Sequence, residues 1–197
     1  LQQFDFFDEI YSICPYTIDW LKNEFGDTKH KYIFHPFDVK PGQLITSYEK
    51  LVDVCYFGGI HGGFHQQMVD VIKKFKYRIL SIQSHPDVTH YNVHHSNKFK
   101  FIAESKISVC FNLLPTTETH ISFIKAHPKW DKNQAHSHLH EGIVPQYKCR
   151  VAEAAFCKSI PLVQRDHWNI VEDYFVPDEE FIYFDNMDDL EEKIRYI

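Results

Sequence analysis

Short apolar runs rich in β-branched and aromatic residues alternate along this chain with longer runs in which apolar residues recur every three or four positions. That alternation predicts βαβ units and a parallel sheet. Residues 8–14 (DEIYSIC) read as a strand and 15–26 as a helix, with Pro15 early and Gly26 at its end. Residues 31–37 read as a second strand. The polar stretch 38–50 carries Pro41-Gly42 and reads as a linker.

A second unit is expected beyond the linker. Residues 52–59 (VDVCYFGG) predict a buried strand that ends in a glycine pair. Residues 64–75 predict an amphipathic helix with Phe64, Met68, Val71, Ile72 and Phe75 on one stripe. A strand over 77–83, a weaker helix over 96–106 and a buried strand over 107–114 follow. Residues 115–144 form a long irregular stretch, of a kind that tends to be functional. Residues 145–159 predict a helix with Pro145 near its start, and 160–164 (IPLVQ) a strand. Residues 166–175 predict a short helix capped by Asp166. A strand over 181–185 and a closing helix over 187–197, with Asp188 and Asp189 in its first turn, complete the pattern.

Composition narrows the classes. The chain has 197 residues, 44% hydrophobic and 16% aromatic, enough for a packed core. Its net charge of -6, with no long Lys/Arg run, argues against general nucleic-acid binding. No apolar run approaches the roughly 18 residues of a membrane span, and the acidic, mixed N-terminus does not read as a signal peptide. The five cysteines are scattered without a CxxC pair, which predicts reduced core residues, a reducing (cytoplasmic) compartment and no structural zinc. The chain begins with Leu, so it is expected to be a piece of a longer polypeptide.

Three constellations stand out as candidate chemistry. Phe57–Phe64 (FGGIHGGF) places four glycines between a strand and a helix. Gly58 and Gly59 allow close approach to a ligand, and the helix behind them points N–H groups at the same space, which suits a phosphate. The competing reading is a tight turn without a ligand. His61 inside this loop is a candidate base or phosphate donor; otherwise it is an exposed loop histidine. The second constellation is Lys148, Arg150 and Glu153. Arg150 and Glu153 are three apart and share a helix face, either as a surface ion pair or as a cation for phosphate and a carboxylate for a sugar hydroxyl. The third is His136, His138 and His140, alternating as ligands on an extended segment would, but no further ligand completes a site and no metal is expected. No GxSxG or cysteine nucleophile signature occurs.

The C-terminal residues carry a resemblance. Arg150-x-x-Glu153, Cys157-Lys158-Ser159, Ile160–Val163, Glu172 to Phe175, Glu180 to Phe184 and Asp189 to Ile194 together resemble the C-terminal donor-binding half of GT-B glycosyltransferases, closest to the group-1-like (CgeB-type) family. "VDVCYFGGIHGG" looks like that half's first strand and glycine loop. Residues 8–38 resemble the segment closing the N-terminal half.

The resemblance implies a Rossmann-like parallel sheet with helices on both faces. Residues 1–45 would be a remnant of the acceptor lobe plus linker, and residues 46–197 the nucleotide-sugar-binding domain. It implies sugar transfer from a UDP-, GDP- or dTDP-linked donor to a glycan hydroxyl, without a metal or other cofactor. Glu153 would hold the ribose, and Lys148, Arg150 and the Gly58-Gly59 backbone would meet the diphosphate. His61 stands as the catalytic candidate, and other domains of a longer polypeptide are expected partners.

The sequence departs from the family pattern in three places. Pro145 stands where retaining relatives carry a second glutamate. His61 and His65 replace a basic pair. Cys-Lys-Ser replaces a helix-ending glycine. Two alternatives remain open: a fucosyltransferase-like enzyme using a GDP-sugar, and a non-catalytic half-domain that binds a nucleotide-sugar or glycan.

Overall fold

The structure is a computed structural model that describes residues 6–13, 18, 22, 26, 29–33, 48–115, 143–166 and 169–197. The chain divides into two compact units, each discontinuous in sequence: 1–37, 112–148 and 166–170 in one, and 38–111, 149–165 and 171–197 in the other.

In the first unit, β1 (Ile10–Ser12) runs parallel to β2 (His30–Tyr32), with Ile10 opposite His30. Gly26 has φ +61° and its N–H donates to the Lys22 carbonyl; most of the helix expected over 15–26 lies outside the described residues. A second pair, β7 (Leu113–Pro115) and β8 (Ile143–Pro145), is antiparallel. This pair corrects two expectations. The buried strand expected over 107–114 breaks at Phe111-Asn112, and Pro145 lies in a strand, not in the first turn of a helix. Most of the 115–144 stretch, with His136, His138 and His140, lies outside the described residues.

The second unit is a six-stranded sheet. Its strands are β3 (Val52–Phe57), β4 (Tyr77–Ser81), β5 (His90–Tyr91), β6 (Ser105–Cys110), β9 (Ile160–Gln164) and β10 (Ile182–Phe184). Their spatial order is β10-β9-β6-β3-β4-β5, and every pairing is parallel. The chain moves outward from β3 to β5, then returns to the other side of β3 and moves outward again. This is the doubly wound Rossmann order, with its reversal between β3 and β6. β5 was not expected: two residues are too few to show alternation. It is held by Thr89, whose hydroxyl accepts from the Ile79 N–H at 2.9 Å and donates to the Ile79 carbonyl at 3.1 Å.

The helices are α1 (Gly62–Ile72), α2 (His95–Ala103), α3 (Arg150–Phe156) and α4 (Met187–Tyr196). α1 packs on α4, and α2 on α3. Side chains alternate across the sheet accordingly. Val54, Tyr56, Ile107 and Val109 join Met68, Val71, Ile72, Leu190 and Ile194 in one core, with Phe64 and Phe75 packed at its edge. That is the stripe read from the sequence. Cys55, Cys110 and Cys157 are fully buried free thiols. Burial pushes Cys55 and Cys157 up to about 12, so they stay protonated core residues.

α3 is shorter than the expected 145–159 helix. The Gln146 N–H donates to the Asn112 carbonyl at 2.6 Å and the Lys148 N–H to Asn112 Oδ1 at 3.0 Å, so those donors serve the loop instead of a helix. At the other end Lys158 has φ 55°. The Lys158 N–H reaches the Ala155 carbonyl at 2.9 Å and the Ser159 N–H the Ala154 carbonyl at 3.0 Å. This is a Schellman end with lysine at the left-handed position that glycine usually fills. Lys50 ties the region together, its ammonium donating to the carbonyls of Ala103, Ser105 and Lys158. The helix expected over 166–175 is a 3₁₀ turn, Ile170–Asp173, whose first N–H lies 3.3 Å from Asp166 Oδ2. α4 starts at Asn186, whose side chain accepts from the Asp189 N–H at 3.0 Å.

Candidate functional site

The glycine loop leaves the C-terminal end of β3. Gly58 has φ 153°, a backbone conformation that glycine adopts without the strain a Cβ brings. Its N–H still pairs with the Leu80 carbonyl at 3.0 Å, so the turn begins while the sheet ladder is intact. The Tyr56 hydroxyl donates to the Gly59 carbonyl at 2.7 Å, and the Ile60 N–H donates to Gln83 Oε1 at 2.8 Å. These bonds fix the loop against β3 and the turn that follows β4. α1 begins immediately afterwards, with His61 at its cap position offering no side-chain cap. The first-turn N–H groups are thus not taken by the cap residue.

α3 brings Arg150 and Glu153 to the same place. A cleft of about 360 Å³ is lined by Phe57, Gly58 and Gly59 from the end of β3, Leu80, Ser81 and Ile82 from the end of β4, Val93 and Lys98, and Cys149, Arg150 and Glu153. It opens at the carboxyl ends of the strands, next to the reversal of strand order, where open α/β sheets bind ligands. A larger hollow of about 490 Å³ lies at the start of β9 and β10, remote from this edge, and contains none of the candidate residues.

Within the cleft Arg150 abuts the glycine turn. A Cβ on Gly58 would stand 2.7 Å from the Arg150 guanidinium carbon. The same group lies 5.8 Å from the centre of the Tyr56 ring. Glu153 is 3% exposed. Its ion pair is with Lys98, not Arg150: Lys98 Nζ donates to Oε1 at 2.6 Å and to Oε2 at 2.7 Å. Lys98 also stands over the Phe57 ring at 5.1 Å. The surface Arg150–Glu153 pair weighed from the sequence is therefore not what the helix builds. Burial, then the neighbouring Glu153 carboxylate, pushes the Cys149 thiol up, so at neutral pH the cleft presents a neutral thiol beside two cations and one carboxylate.

Two other candidates stand apart. The exposed His61 ring lies against Gly59, with its Cδ2 3.0 Å from where a Cβ on that glycine would stand, and 3.4 Å from Gln83 Nε2. His65 Nδ1 donates to the His61 carbonyl at 2.8 Å. Lys148 belongs to the other unit and precedes α3 instead of lying on it. Lys98 is the residue that sequence reasoning missed. Its partner is 55 positions away, and a lysine on a moderately amphipathic helix carries no local mark. Among the described residues no group of three or more His, Cys, Asp and Glu side chains is placed to hold a metal ion.

Residues 64–197 match a family described as glycosyl transferase-like. The chain belongs to that family. A search of curated proteins finds no match. The match begins within α1, after β3 and the glycine loop, and takes in the remaining strands of the sheet and α3 with Arg150 and Glu153, in agreement with the resemblance carried by the C-terminal motifs. Membership makes this glycosyl transferase-like chain a glycosyltransferase in general activity, with a sugar donor and an acceptor as its partners. The doubly wound parallel sheet is the Rossmann-like fold expected of the GT-B donor-binding half. Among the described residues no helix is long and apolar enough to cross a membrane.

Proposed function

We propose that the chain transfers a sugar from a nucleoside-diphosphate-sugar, UDP-, GDP- or dTDP-linked, to a glycan hydroxyl, with the donor seated in the cleft between β3, β4, α2 and α3. One observation carries this reading: the Arg150 guanidinium rests against Gly58 at the strand end where the sheet order reverses, with the buried Glu153 in the same cleft. In this reading Arg150, the Gly59 N–H and the first-turn N–H groups of α1 face the diphosphate. Guanidinium suits phosphate because its N–H groups match two oxygens at once. Glu153 accepts ribose hydroxyls. The unit that carries the six-stranded sheet, 38–111, 149–165 and 171–197, forms the donor domain, and residues 1–37 belong to the acceptor side.

The chemistry is displacement at the anomeric carbon. The acceptor hydroxyl oxygen forms the new bond, the bond to the diphosphate oxygen breaks, and the diphosphate leaves with the electron pair. Positive charge around the departing oxygens supplies the main stabilisation, without calling on a metal. The acceptor's proton passes to a base, for which His61, beside the glycine turn, is the candidate.

Calorimetric titration with UDP, GDP and dTDP tests the site. At least one should bind the native chain; Arg150→Ala, with the melting profile retained, and the near-isosteric Glu153→Gln should each weaken it tenfold or more. Unchanged affinity in both variants overturns the assignment. A preference for GDP favours the fucosyltransferase-like version, and donor turnover by the chain argues against a purely binding role.

A further inference from the structure

The residue that faces the ligand space beside Arg150 is Lys98. Both oxygens of Glu153 are taken by its ammonium, at 2.6 and 2.7 Å. The two partners are unequal. The Glu153 side chain is 5% exposed and the Lys98 side chain 26% exposed, and both line the cleft, so the lysine is the more accessible of the pair. Lys98 stands over Phe57 and Arg150 against Gly58, consecutive residues of one strand end. Two cations thus converge on one turn, with one carboxylate bonded to Lys98. A lysine holds its charge on a flexible four-carbon stem and can exchange one anion for another, whereas the buried glutamate has little room to move.

We propose that Lys98 is a ligand-contacting specificity residue that exchanges partners when the donor binds. Its ammonium leaves Glu153 for the diphosphate, and the carboxylate it uncovers takes the ribose hydroxyls. This rests on the donor-site reading above and adds a residue to it. The exchange replaces one charge-assisted contact with another, so a ligand that brings an anion can open the ribose site. A nucleoside without phosphates has nothing to offer Lys98 and must compete with it for Glu153. Lys98 therefore makes the cleft discriminate for the diphosphate over the bare nucleoside by more than direct phosphate contacts alone would.

The test compares UDP with uridine, and GDP with guanosine, on the native chain and on Lys98→Met. The expected result is a crossover: diphosphate affinity falls tenfold or more, while nucleoside affinity stays level or rises. A counter-ion of purely structural value predicts that both fall together, and that result overturns the proposal, as does no change in either. Should Lys98→Met fail to fold with Glu153 left unpaired, Lys98→Met/Glu153→Gln removes both charges and is compared with Glu153→Gln alone. Diphosphate affinity tenfold weaker in the double variant supports the exchange; equal affinity overturns it. A native chain that binds neither nucleotide overturns the donor-site reading and this inference together. Binding that is lost in Arg150→Ala but keeps its diphosphate-to-nucleoside ratio in Lys98→Met overturns this inference alone.

Discussion

The Arg150 guanidinium occupies the space that a side chain on Gly58 would need. A Cβ there would lie 2.7 Å from the guanidinium carbon and 3.0 Å from Nε, and Gly58 holds φ at 153°. The glycine is thus doubly required, once by its backbone and once by the arginine seated on it. Gly58→Ala is expected to lose about 1–3 kcal/mol from backbone strain. The arginine tip can swing aside, so the chain should still fold, with Arg150 no longer in position. Affinity for the bound nucleoside diphosphate should then fall about as far as in Arg150→Ala. Denaturant unfolding and calorimetry on the same sample check both halves, and native affinity in Gly58→Ala would separate the glycine from the arginine's placement.

Cys149 gives a chemical readout of the cleft. Burial and the Glu153 carboxylate raise its pKa above the ordinary value of 9.0. The thiolate is the reacting form, so alkylation by iodoacetamide should be slow at pH 7 and accelerate only as the pH climbs past 9. A bound nucleoside diphosphate should protect it. Peptide mapping by mass spectrometry distinguishes Cys149 from the other cysteines. Rapid labelling at neutral pH would mean that the thiol's surroundings differ from those described.

Arg78 and Glu104 form a buried ion pair at 2.9 Å, with side chains 10% and 9% exposed. Arg78 also donates to the Phe101 carbonyl at 2.8 Å, and its guanidinium stands 4.6 Å from the centre of the Phe101 ring. Removing one partner strands the other charge in the protein interior. Glu104→Ala should therefore cost about 3–5 kcal/mol, while Arg78→Met/Glu104→Leu should recover most of that loss. Denaturant titration of the two variants measures the difference.

Lys158 holds φ at 55° at the end of α3, a left-handed conformation that disfavours a residue with a Cβ. Lys158→Gly should raise stability by about 1 kcal/mol. Its carbonyl still receives Lys50 Nζ in the variant, since that contact is to the backbone. Differential scanning calorimetry reads the gain, and a lower melting temperature would show that the lysine side chain contributes more than its backbone costs.

The parallel sheet of the second unit was legible because its strands are buried on both faces and read as short continuous apolar runs: Val52–Phe57, Ile107–Cys110 and Ile160–Gln164 carry almost no exposed side chain, although Ser105 and Lys106, read as the end of the preceding helix, open β6. The amphipathic stripe of α1 and the glycine pair after β3 were legible for the same local reason. So was the placement of Arg150 and Glu153 on one face, a consequence of helical spacing alone. The limits of α3 were not legible. They depend on Asn112, 38 positions before Arg150 in the numbering, drawing the Gln146 and Lys148 N–H groups away from a helix that local propensity would have extended.

The sequence alone determined the alternation of strand and helix, the glycine turn and the motifs that assign the chain to its family, because each of these is written in neighbouring residues. Tertiary structure decided which cation meets which anion. Lys98 and Glu153 lie on different helices, 55 residues apart, and only the folding of α2 and α3 onto one face of the sheet brings their charges within 2.7 Å. A buried carboxylate requires a nearby positive partner, but the sequence does not say which of 21 lysines and arginines will be closest.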